Sequence, residues 1–307
     1  MSELQKRIIV GIIGIPIALT IVYLGGILFG LALSLVSSLA LWEFYKLSEK
    51  KFVKPNYLLG LMATVIMNIF PSIYIQKGLS SIVPFLFISF IGIISFVIIV
   101  VGIEVFRKRD NAIFNISVTF SGVLYIPMML SFFIGIRELH LLLPQSSSFF
   151  DANPILRKIT DNWCGIFSIL MLISVWITDT AAYFVGKKYG KHKIYPSVSK
   201  HKSWEGGIAG FLAGFFAFII LSQIFLDSIS LFHSINIGII IGAIGQIGDF
   251  AESKLKRDAA VKDSSTILPG HGGFLDRFDS ILFIVPIIFV YLILWLYPEF
   301  FRYVINF

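Results

Sequence analysis

Long apolar stretches recur along almost the whole chain, and short polar or charged segments divide them. A helix needs about 20 mostly apolar residues to cross a bilayer. By that measure the pattern predicts about nine spans, at 8–24, 27–45, 57–75, 82–102, 113–136, 163–186, 206–226, 235–252 and 280–298. The first two meet at Gly25–Gly26, which allows a tight hairpin or one re-entrant segment, and Pro71 interrupts the third. The expected fold is all-α, a polytopic transmembrane helical bundle.

Composition closes the alternatives. Of the 307 residues, 57% are hydrophobic and 14% charged, with mean hydropathy +0.88. Soluble domains carry nearer one quarter charged residues, and so few charges could not cover such an apolar surplus. A single cysteine, Cys164, excludes an intramolecular disulfide framework. The basic flank and apolar run of residues 1–30 lack a small-x-small cleavage site, so they are expected to form the first membrane helix rather than a cleaved leader.

The net charge of +7 would suit nucleic acid, but the placement of the basic residues explains it better. With nine spans the loops alternate between two sides. One side collects the basic residues at 6–7, 46–54, 107–109, 187–202, 254–262 and Arg277; the other receives Lys77, Arg137, Arg157, Lys158 and Arg302. That is 20 of the 25 Lys and Arg against 5. The positive-inside rule places the rich side, and the N-terminus, in the cytoplasm. Nucleic acid is not an expected partner; the bilayer is.

Three regions follow from this pattern: membrane helices at 1–136, an extracytoplasmic loop at 137–162, and a catalytic membrane domain at 163–307 with cytoplasmic loops 187–205 and 253–279. The first five spans hold almost no ionisable residue within their apolar cores. No internal repeat is evident, which argues against an inverted-repeat transporter.

The polar residues of the last third carry the chemistry. Asp179 lies deep in an apolar run, flanked by Thr178, Thr180 and Tyr183. A carboxylate at that depth needs a partner, a cation or water, so it either bonds a neighbouring helix or faces a polar cavity. The loop after it is rich in lysine, which either fixes topology or, in Ser199–Gly207 beside a helix N-terminus, holds an anionic group.

Residues 245–280 are the most patterned. Asp249, Ser253, Lys256 and Arg257 fall along one side if the helix continues past the membrane edge. Lys262 and Asp263 follow, then the turn Pro269–Gly273, then Asp276, Arg277 and Asp279. Carboxylates suit a hard ion such as Mg²⁺, which leaves positions open for substrate phosphates, and lysine and arginine suit phosphate oxygens. This is the equipment of phosphoryl or nucleotidyl transfer. His271 either joins that site or caps backbone groups in the turn. GxxxxGK[ST], HExxH and CxxC spacings are absent, so P-loop, zinc-protease and cysteine-metal chemistry gain no support.

The run Ser253-x-x-Lys256-Arg257, Lys262-Asp263, Pro269-Gly270-His271-Gly272-Gly273-x-x-Asp276-Arg277-x-Asp279 resembles the signature of the phosphatidate cytidylyltransferases, or CDP-diacylglycerol synthases. Gly248-Asp249 and Asp179-Thr180-x-Ala182-Tyr183 are also similar to motifs of that family. The resemblance covers mainly 163–298, and earlier residues match in hydropathy alone. It implies transfer of the cytidylyl group of CTP to phosphatidic acid, with release of pyrophosphate and dependence on Mg²⁺, in a polytopic and often dimeric membrane protein.

By the same resemblance Asp249 and Asp276 hold the metal. Lys256, Arg257, Lys262, Asp263, Arg277 and Asp279 complete the catalytic set, and Asp179, Ser199, Lys202, Ser203, Glu205, Ser253 and His271 contact substrate. One departure stands out. Where the family commonly has Ser-Pro-Lys-Lys-Thr-x-Glu-Gly, this chain has Ser199-Lys200-His201-Lys202-Ser203-Trp204-Glu205-Gly206. The runner-up is a membrane nucleotidyl- or phosphotransferase with another acceptor, such as an isoprenoid or archaeal-type lipid. A bacterial plasma membrane is the expected location, with the site facing the cytoplasm.

Overall fold

The computed structural model describes residues 3–76, 82–143, 157–265, 267 and 272–296, apart from the side chains of 3–10, 82–84 and 86. Lys77, Arg302, the turn residues Pro269, Gly270 and His271, and residues 144–156 of the expected outer loop lie outside the described residues. Among those described, the regular structure is helical, with no strand longer than an isolated bridge.

The helices are α1 (Glu3–Leu24), α2 (Gly26–Glu49), α3 (Tyr57–Gln76), α4 (Ile82–Phe106) and α5 (Ala112–Arg137). A short α6 (Leu139–Leu142) follows, then α7 (Asp161–Tyr189), α8 (Trp204–Phe225), α9 (Leu231–Asp258) and α10 (Leu275–Leu296). Eight of these, α2–α5 and α7–α10, are long and apolar enough to cross a membrane, and Gly11–Leu24 of α1 is a shorter apolar helix. They take up the nine expected spans in order, as a polytopic helical bundle.

Three boundaries differ from the sequence pattern in an informative way. α3 runs unbroken through Pro71. In a bilayer one missing N–H costs less than the several bonds that a helix break would leave unmade. In α5 the ladder widens to a π turn at Leu124–Met128, around Pro127, where the i−4 bond cannot form. α9 and α10 extend beyond their apolar segments, so within 253–279 the residues 253–258 and 275–279 are helical. A single residue, Gly25 at φ 65°, separates α1 from α2.

The chain forms two compact units. The first comprises Met1–Ile134 and Leu255–Phe278, the second Gly135–Lys254 and Asp279–Phe307.

In the first unit α2 packs on α3, where Gly30 leaves room for Ser72 and Gly60 for the Tyr45 ring. The Tyr45 hydroxyl donates to the Thr119 carbonyl of α5 at 2.8 Å. The connection between α2 and α3 is pinned to α5 as well: Lys54 N–H donates to Asn115 Oδ1 (2.7 Å) and Asn56 N–H to Thr119 Oγ1 (2.9 Å). These bonds satisfy backbone donors that would otherwise be stranded near the membrane edge.

In the second unit small residues let the helices approach closely. A Cβ at Gly206, Gly210 or Gly214 of α8 would meet backbone or side-chain atoms of α7 at Ala182, Thr178 and Ser174. Gly238 and Gly242 of α9 lie against the Phe215 and Phe211 carbonyls of α8, and Gly245 and Gly248 lie against α10. Apolar side chains of α4, such as Phe87, Ile98 and Val105, remain exposed, as a lipid-facing helix requires.

Candidate active site

In the second unit the loop 190–203 between α7 and α8 folds back on itself. Ile194 N–H donates to the Lys202 carbonyl (3.2 Å) and Trp204 N–H to the His192 carbonyl (2.9 Å). Glu205 accepts from His192 N–H at 3.1 Å and stands 2.6 Å from its Nδ1. Ser203 caps α8, its Oγ accepting Gly206 N–H at 3.2 Å. Ser199 lies in a turn closed by its N–H on the Tyr195 carbonyl (3.0 Å). Ser203 and Glu205, expected at substrate, thus also hold the shape of the loop.

That shape delivers Lys202. Its Nζ lies 2.8 Å from Asp249 Oδ1 and 3.2 Å from Ser253 Oγ, and 4.2 Å from the centre of the Phe250 ring. Asp249 and Ser253, four residues apart on α9, share a helix face and meet one ammonium. Lys202 of the divergent motif thus meets Asp249 and Ser253, although the motif lacks the proline common in the family.

Gly248 brings α9 against α10. A Cβ there would meet the Asp279 carbonyl and the Phe283 ring. The neighbouring Asp249 is thereby within electrostatic reach of Asp279, which also feels Asp179 and Lys202. Asp279 is 8% exposed. Asp179 of α7 is exposed at the helix surface.

The first unit holds a second lysine–aspartate pair. Lys256 Nζ lies 2.6 Å from Asp276 Oδ1, with both side chains largely buried. The other oxygen, Asp276 Oδ2, accepts Gly273 N–H (2.8 Å) and Ser264 N–H (3.1 Å), and Ser264 Oγ lies 2.9 Å away. Asp276 therefore closes the loop that precedes its own helix. Gly272 has φ +82°, a conformation that favours glycine. Arg257 donates to the Val261 carbonyl at 3.0 Å. Lys262, Asp263 and Arg277 are exposed at this end of the unit. His271 lies outside the described residues.

Glu43 of α2 was not legible as a site residue. It is fully buried and bonds to Ser264, Ser265, Phe274 and Leu275. The available signal was a carboxylate in the apolar run Leu39–Tyr45, which marks a functional position by cost alone.

The donor set fits a hard divalent cation. Asp279 lies within electrostatic reach of Asp249, Asp179 and Lys202, so three carboxylates are offset by one lysine and negative charge is in excess. Each carboxylate oxygen has two lone pairs, so a lysine N–H on Asp249 Oδ1 or Asp276 Oδ1 does not exhaust its capacity.

Comparison with known proteins decides the family. The profile of the cytidylyltransferase family matches residues 5–295. The chain belongs to this family. Relatives extend the likeness over the first half, where sequence motifs had given only hydropathy. A Bacillus subtilis protein named phosphatidate cytidylyltransferase is 31% identical over 300 residues, 97% of this chain and 100% of its own length. Proteins of the same name from Staphylococcus epidermidis and Staphylococcus aureus are 30% and 28% identical, each covering 94% of this chain and 99% of their own.

Proposed function

We propose that this chain transfers the cytidylyl group of CTP to phosphatidic acid, giving CDP-diacylglycerol and pyrophosphate, at the cytoplasmic face of a bacterial plasma membrane. The observation that carries the reading is the pairing of part-buried lysines with the signature aspartates, Lys202 with Asp249 and Lys256 with Asp276, in a chain of this family.

A phosphate oxygen of phosphatidic acid attacks the α-phosphorus of CTP, and the bond to the β-phosphate breaks. A phosphate monoester is already largely anionic near neutral pH, so the nucleophile needs no strong base. The problem is bringing two anions together. Lys202 and Lys256 offer ammonium groups that are already positioned by carboxylates, so little side-chain freedom is lost when phosphate oxygens arrive. Asp249 and Asp276 are each, by the family resemblance, a carboxylate that would hold Mg²⁺, and Asp279 adds charge beside Asp249. When bound, that ion would neutralise nucleotide phosphate charge. The exposed Arg277 and Lys262 supply further positive charge. The acyl chains stay in the bilayer, as the exposed apolar helices allow.

The test is product analysis. Purified full-length protein with CTP and a panel of lipid acceptors should form CDP-diacylglycerol from phosphatidic acid. A nucleotidyl product on an isoprenoid phosphate, and none on phosphatidic acid, would overturn the substrate assignment.

A further inference from the structure

A buried carboxylate far from the signature in sequence holds the signature loop. Glu43 is 0% exposed. Its Oε1 accepts from the Ser265 hydroxyl and from Phe274 N–H (3.0 Å), and its Oε2 from the Ser264 hydroxyl (2.9 Å) and Leu275 N–H (2.8 Å). A carboxylate has about four lone-pair sites, and four donors meet them here. Ser264 and Ser265 lie on one side of the signature turn, while Phe274 and Leu275 lie on the other, at the first turn of α10. One side chain of α2 therefore bonds both of these residue pairs, and it caps from outside a helix whose first N–H groups have no partner within the helix.

The contact continues to Asp276. Ser264 Oγ lies 2.9 Å from Glu43 Oε2 and 2.9 Å from Asp276 Oδ2, so a single hydroxyl proton faces two carboxylates. Gly273 fits between them because it has no side chain: a Cβ would collide with Ser264 Oγ and the Glu43 carboxylate. The absence of a side chain at Gly273 is thus matched to a residue 230 positions earlier, within the same compact unit.

We infer that Glu43 is a positioning residue for the transfer reaction: it ties Ser264–Ser265 and Phe274–Leu275 to α2 and, through Ser264, sets where Asp276 stands. This rests on the transfer reading above. A glutamine at 43 keeps the size but keeps one acceptor oxygen, and turns an NH₂ group toward N–H and O–H donors. Two of the four bonds are lost and their donors are left buried.

The experiment uses full-length protein in detergent and compares wild type with Glu43→Gln by two readouts. Amide hydrogen exchange reports the clamp: Phe274 and Leu275 should be protected in wild type and exchange faster in Glu43→Gln, while amides in the middle of α2 stay unchanged. Pyrophosphate release reports the consequence: kcat should fall by roughly 10–100-fold, the range for residues that orient a metal ligand, with KM for phosphatidic acid changed by less than about threefold.

Unchanged exchange at 274–275, or kcat within about twofold of wild type, overturns the inference. So does a loss of folded protein with normal kcat per folded molecule, which marks a merely structural role. If Glu43→Gln does not fold, Ser264→Ala and Ser265→Ala each remove one donor, and normal kcat in both overturns it. Should wild type release no pyrophosphate, the transfer reading falls, and the exchange comparison still decides the clamp.

Discussion

Lys202 stands 2.8 Å from Asp249, from a loop that departs from the pattern expected of its family. The ammonium is held by a carboxylate, a hydroxyl and an aromatic ring together, which fixes a flexible side chain before any phosphate binds. Backbone pairing between 192–194 and 202–204 holds the loop that carries it.

Replacing Lys202 with methionine should therefore lower kcat/KM by about 10–100-fold, the value of a hydrogen bond to a charged group. Steady-state pyrophosphate release, with folding checked by thermal unfolding, measures it. Activity equal to wild type would mean that this lysine serves the loop and not the substrate.

Gly273→Ala should destabilise the first unit. The added methyl group meets the Ser264 hydroxyl and the Glu43 carboxylate, neither of which can withdraw without losing bonds. Overpacking of this kind costs about 1–3 kcal/mol. Thermal unfolding of the purified variant should show a lower midpoint, accompanied by reduced pyrophosphate release. An unchanged midpoint would show that the loop rearranges freely.

The helices were legible because bilayer thickness imposes a length that hydropathy reveals directly: α4, α8 and α10 fall within a few residues of their apolar runs. Asp249, Ser253 and Lys256 were also legible, since their spacing puts them on one helix, and α9 does extend through Asp258. What the sequence hid was tertiary. Pro71 reads as an interruption, yet the hydrogen-bond demand of a membrane helix overrides it. Ser203 and Glu205 are expected at substrate by resemblance, and their contacts within the loop depend on a hairpin that no local pattern announces. Glu43 bonds residues more than 220 positions away, so no spacing rule could connect them.

Topology offers a separate check. In a Cys164→Ser background, cysteines placed at Lys51, Lys108 and Lys158, all exposed, should divide by side. A membrane-impermeant thiol reagent added to intact cells should label position 158 and spare 51 and 108. Labelling of 51 or 108 from outside would reverse the orientation.

Chelation tests the cation. Removing divalent ions should abolish pyrophosphate release, and Mg²⁺ should restore it, because the carboxylates of Asp279, Asp249 and Asp179 are offset by a single lysine. Full turnover in excess chelator would leave the lysines as the only charge neutralisers.

The most direct measurement is pyrophosphate release from CTP and phosphatidic acid by wild type and by Asp249→Asn, at equal folded concentration. The account predicts steady release by wild type and a loss of at least about a hundredfold in the variant, beyond what an outer partner of a metal ligand costs. Equal rates in the two proteins would contradict it.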